Sequence, residues 1–133
     1  MPSDSLRSIR PDIPVDTAES TPVETFQHET LRPILKLLNP NLVALTAHTL
    51  TKYGTGFAEM DRADQVRRLR NLMTQDSRLK RTAVGMVMGH FTEEEFAFFL
   101  THQAELRRRT IEMLETRVVD QVDAIAEHTE ASV

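Results

Sequence analysis

The 133-residue sequence predicts an all-α protein: a compact bundle of about five helices, the last one long, preceded by a flexible N-terminal arm. Three observations carry this. Capping residue and proline stand together at Thr21-Pro22 and Asn39-Pro40, the arrangement that starts helices. Apolar residues recur at intervals of three and four through most of the chain. And Phe91-Thr92-Glu93-Glu94-Glu95-Phe96 writes a complete helix start in six residues. There the Thr92 hydroxyl can accept the Glu95 N–H, Glu95 can reach back to the Thr92 N–H, and Phe91 can staple onto Phe96.

Residues 1–21 hold Pro2, Pro11 and Pro14 among Ser, Asp and Thr, and their few apolar side chains build no face, so they are expected to be a flexible arm. Residues 22–133 are expected to form a single helical domain. Helix one starts at Pro22 and carries Phe26, Thr30, Leu31, Ile34, Leu35 and Leu38. Pro33 removes one backbone donor and disfavours helical geometry at Arg32, which leaves a kink and a restart both open. A second helix follows Asn39-Pro40 through Leu42, Leu45, Thr49 and Leu50 to about Tyr53, where Gly54 can stop it in the left-handed conformation. Asp61 can cap a third helix carrying Ala63, Val66, Leu69 and Met73.

Asp76 or Ser77 can cap a fourth, which is apolar nearly all round from Ala83 to Met88 and so is expected to be the most buried element. Gly85 and Gly89, four apart, are read either as a close approach of another backbone or, at Gly89, as a terminator. The fifth helix, from Glu93 to about His128, would be roughly 54 Å long at about 1.5 Å per residue. A domain of this size has a radius of gyration near ~13 Å, so such a helix outruns its own core. Ile111, Leu114, Val118, Val122 and Ile125 keep one apolar stripe along it, which predicts a two-fold homodimer interface built from those five residues.

Composition narrows the function. A net charge of −4 and pI of 5.7 give no general pull toward nucleic acid or anionic membrane. Without cysteine there is no disulfide framework, thiolate metal site or cysteine nucleophile. No signal-peptide core and no membrane-length apolar run are present, so a cytoplasmic protein is expected. The histidines are His28, His48, His90, His102 and His128. None stands at the helical spacings that pair metal ligands, and no metal or cofactor is expected. Nor is there a nucleophile elbow, P-loop or dinucleotide fingerprint.

The residues Leu31-Arg32-Pro33-Ile34-Leu35-Lys36-Leu37 and Asn39, with Gly85, Gly89, Phe91-Thr92, Glu94-Glu95 and Glu105-Leu106, resemble a family of small bacterial proteins, some carrying an automatic glyoxalase label. The resemblance covers about residues 30 to 118. It implies a discrete family domain and brings no active-site residues with it. Glyoxalase I enzymes assemble their metal site on strands of paired βαβββ modules, for which this sequence has no counterpart.

The function expected is a non-enzymatic interaction or regulatory protein, self-associating and binding a protein partner through Arg32, Lys36, Phe98 and His102. An enzyme would have to use His90, His102, Glu94 and Glu95. A third reading rests on the segment from Arg62 to Arg81, whose seven cations face only Asp64 and Asp76, in helix-turn-helix proportions. Against it, a recognition helix needs a polar face, and the fourth helix turns apolar within two turns.

Overall fold

A computed structural model describes Ile9, Arg10 and residues 21–54 and 56–131; the rest of the expected arm, 1–8 and 11–20, lies outside the described residues. The described chain is helical, with no strand, in six helical runs. The first run comprises α1 (Pro22–Phe26), a π-helical turn (Gln27–Leu31) and α2 (Arg32–Tyr53). A 3₁₀ turn (Phe57–Glu59) precedes α3 (Arg62–Gln75) and α4 (Ser77–Met88). Then come α5 (Glu93–Thr101), α6 (Gln103–Asp120) and α7 (Val122–Ala131).

Two expectations change. The helices placed on either side of Asn39-Pro40 are one: Pro40 lies inside α2. Pro33 neither breaks the run nor restarts it, because the π turn just before it absorbs the disturbance. There the Arg32 N–H donates to the Gln27 carbonyl, five residues back. The wider turn relieves the crowding a proline ring imposes on the carbonyl four residues earlier.

Conversely, the single helix expected over 93–128 is three. At His102 the backbone leaves helical geometry (φ −116°, ψ 35°), its N–H shared between the Phe98 and Phe99 carbonyls, while the imidazole Nδ1 lies 3.2 Å from the Phe98 oxygen. A side chain competing within the ladder is an established cause of such a kink. The second interruption is at Gln121, whose N–H is shared between Arg117 and Val118.

The helix starts behave as the sequence predicts. Thr21, Asp61 and Thr92 each accept a backbone N–H three residues on, and Asp76 does the same for α4 through Leu79. Gly54 terminates α2 at φ +63°. The close backbone approach considered at Gly85 is absent, since a Cβ there would meet open space. Gly89 marks the end of α4, donating its N–H to Gly85. Helix α4 is less enclosed than its composition suggests: Ala83, Val84 and Val87 are buried, whereas Met86 and Met88 are half-buried.

The chain divides into two compact units. The first takes its residues from 1–38 and 84–112, and its core holds Phe26, Leu31, Ile34, Val87, Phe99 and Leu106. The second takes its residues from 39–83 and 113–133. Its core includes Leu50, Leu69, Leu72, Met73, Leu114 and Ile125, and α7 packs there on α3 and the 3₁₀ turn. Among the described residues no helix is long and apolar enough to cross a membrane.

Candidate functional site

In the first unit the geometry centres on Glu95. As third residue of α5 it completes the capping box, its Oε1 accepting the Thr92 N–H at 2.8 Å. The same carboxylate receives Arg10, with Nη2 to Oε1 at 2.8 Å and Nη1 to Oε2 at 2.9 Å, and the Thr30 hydroxyl at 3.2 Å. Arg10 Nη2 also donates to the His90 carbonyl. The pair is enclosed, with side-chain exposures of 6% and 9%. Burial pushes the Glu95 carboxyl up, but the hydrogen bonds from Arg10, Thr92 and Thr30 and the guanidinium charge outweigh it and hold the group below its ordinary range. Arg10 thus stands apart from the flexible arm expected over 1–21.

Around this pair runs an aromatic chain. Phe98 stacks on Phe26 at 5.0 Å between ring centroids, Phe26 meets Phe91 edge-on at 5.5 Å, and Phe91 contacts Phe96 and Phe99. The His102 ring lies 4.4 Å from that of Phe98. Helical spacing groups Phe96 with Phe99 and Leu100 on a core face of α5 and turns Phe98 away from Phe96, and the observed assignment differs. Phe99 is buried, but Phe96 and Leu100 are 38% and 50% exposed, while Phe98 is half-buried against Phe26. Shifting the helix's inward face toward Phe98 turns Phe96 and Leu100 outward.

Of the residues assigned to partner binding, Phe98 and His102 are brought together, and Arg32 and Lys36 are exposed one helical turn apart on α2. The residues assigned to a dimer interface fall elsewhere. Leu114, Val118, Val122 and Ile125 are buried within the chain itself, and Ile111 is half-buried. The breaks at His102 and Gln121 divide the long straight helix on which that stripe was to be displayed.

The group considered for enzymatic chemistry is engaged in part. Both Glu95 oxygens are taken, His90 Nδ1 is 2.9 Å from the Met86 carbonyl and His102 Nδ1 is held by Phe98. Glu94, though exposed, is engaged as well. Among the described residues no three His, Asp or Glu side chains converge on a metal position. Among the described residues, His28 Nδ1 in the π turn is buried without a hydrogen-bond partner.

Sequence reasoning missed Arg10, Thr30 and the packing of Phe26 on Phe98. Glu95 carried a signal as the third residue of a capping box; Arg10, a lone cation among prolines, carried none. It also missed a polar cluster in the second unit. The Tyr53 hydroxyl donates to Asp76 Oδ2, and the Arg68 guanidinium lies 5.9 Å from the Tyr53 ring centroid. The hydrogen bond to Asp76 raises the Tyr53 pKa, and the same bond, with the Leu79 N–H, lowers that of Asp76.

No family model matches the chain, and no curated protein or solved structure gives a significant match. The likeness to a small bacterial family rests on its sequence motifs alone.

Proposed function

We propose that the chain is a non-enzymatic interaction protein of the bacterial cytoplasm, pairing with a second copy of itself through α5 and presenting Arg32, Lys36, Phe98 and His102 to a protein partner. The observation that carries this reading is on α5: Phe96 and Leu100, one turn apart, are left open to solvent on the face of the helix away from the half-buried Phe98 and His102. Large apolar side chains grouped on a surface mark contact sites, and aromatic anchors dominate the energy of such contacts. A patch used against its own copy closes with two-fold symmetry and leaves no open end. The residues considered for catalysis support the same reading, because Glu95 is saturated by four hydrogen bonds and held ionised.

Light scattering over a concentration series tests the pairing. The expected mass is near twice 15.2 kDa, falling to 15.2 kDa in Leu100→Ser and in the double variant Phe96→Ser/Leu100→Ser. A mass of 15.2 kDa for the unaltered chain at every concentration would exclude the dimer. Cross-linking from a photoreactive residue at position 100 then decides whether α5 touches any protein, with position 70 on α3 as the control.

A further inference from the structure

We propose that the second unit carries a binding site for a ligand bearing two phosphoryl groups, built around Tyr53 and Asp76. Two clefts, of about 230 and 200 Å³, have Tyr53 and Asp76 as common wall. Arg68 lines the first; His48, Lys52 and Arg78 line the second. Each is smaller than the roughly 300–1,000 Å³ of drug-sized ligand sites and suits a single phosphoryl group. The Tyr53 ring, 52% exposed, stands where the two clefts meet.

Charge selects the ligand. Arg68, Lys52 and Arg78 face one carboxylate, in a chain whose net charge is −4. That carboxylate is engaged, Oδ1 by the Leu79 N–H at 2.9 Å and Oδ2 by the Tyr53 hydroxyl, so it caps α4 and fixes the ring, and of the cations it is the Arg78 charge that bears on it. Other cations of the segment are spent elsewhere: Arg62 on Asp123, Arg67 on Asp64, and Lys80 on the Thr74 carbonyl. Arg68 and Arg78 both project their field onto Tyr53. Two guanidiniums and an ammonium beside a single carboxylate match phosphoryl oxygens, which accept planar paired donors. An exposed aromatic ring between them is what a base-bearing diphosphate or two successive phosphates of a single strand would use for stacking. This site is independent of the α5 surface and of the pairing proposed for it.

Tyr53 is the only tyrosine and the chain has no tryptophan, so its emission reports this site alone. The experiment titrates inorganic pyrophosphate into the full-length protein at constant ionic strength, reading Tyr53 emission and heat together. The expected result is saturable binding, weakened at least tenfold in Arg68→Gln/Arg78→Gln and severalfold in Lys52→Gln. Arg70→Gln, outside both clefts, should bind as the unaltered chain does, and far-ultraviolet dichroism verifies the fold of each variant. A titration flat in both signals, a response equalled by chloride alone, or equal binding in Arg68→Gln/Arg78→Gln and Arg70→Gln would overturn the proposal. A short single-stranded oligonucleotide as second probe separates the two sources. Tighter binding than pyrophosphate with a steep salt dependence assigns the site to a strand, and the reverse order assigns it to a small diphosphate.

Discussion

Arg10 and Glu95, 85 residues apart in sequence, form a two-pronged ion pair with both side chains almost fully enclosed. Removing one partner of such a pair strands the other charge away from water, which typically costs about 3–5 kcal/mol. Arg10→Met is therefore expected to lower unfolding stability by roughly that much, read from the urea midpoint. Glu95→Gln should lower it less than additively when combined with Arg10→Met. A loss below ~0.5 kcal/mol, the range of ordinary surface substitutions, would mean that Arg10 does not dock.

Acid should loosen the same contact. The folded-state pKa of Glu95 is depressed, so the pair stabilises fully above the unfolded glutamate value near ~4.3, and this contribution disappears as the pH falls through the lower folded-state value. Thermal midpoints should thus be insensitive to this group from neutral pH down to about pH 5 and drop below about pH 4. In Arg10→Met the acid slope should be shallower. Identical slopes in both proteins would remove Glu95 as the source.

Thr92→Ala deletes the hydroxyl that accepts the Glu95 N–H, and the expected loss is about 1 kcal/mol by chemical denaturation. The equivalent change at the exposed Thr21 cap should cost less than at Thr92, which is buried, because water can replace the lost acceptor there. Equal losses would show that the Thr92 capping box is not special.

Leu114→Ala and Ile125→Ala each empty a fully buried position, and truncations of that kind cost about 2–5 kcal/mol. The loss should not depend on protein concentration, since these side chains pack within their own chain. A midpoint that rises with concentration only in the unaltered protein would return them to an intermolecular interface.

Tyr53 titrates above the ordinary tyrosine value of ~10, because its proton is shared with Asp76. The bond is intact below that value and is lost as the pH rises through the elevated one. Ultraviolet absorbance of the lone tyrosine should show the high titration, and Asp76→Asn should bring it back down. No change on that substitution would sever the link.

Local chemistry was the legible part of this fold. Caps at Thr21, Asp61, Asp76 and Thr92 and the stop at Gly54 depend on neighbours within four residues, and each is where its residues predict. What escaped depends on distant partners. Nothing near Arg10 in sequence signals that Glu95 will hold it, and the periodicity of α5 alone does not determine that Phe26 draws Phe98 inward. The stripe from Leu114 to Ile125 is legible as apolar, but periodicity does not say whose chain covers it. Pro33 and Pro40 carry local break signals that the fold overrides, since a helix interior tolerates proline where the ladder can adjust, as the π turn does before Pro33.

That π turn also works as a phase shifter. A turn closed five residues back holds one residue more than an α-turn, so everything upstream of Gln27 is rotated by about 100° relative to an uninterrupted helix. Deleting one residue between Gln27 and Leu31 would restore regular winding and swing Phe26 out of line with Phe98, while Pro33 pressed on a carbonyl no longer moved aside. The aromatic chain of the first unit is therefore keyed to the length of this five-residue turn as much as to its composition.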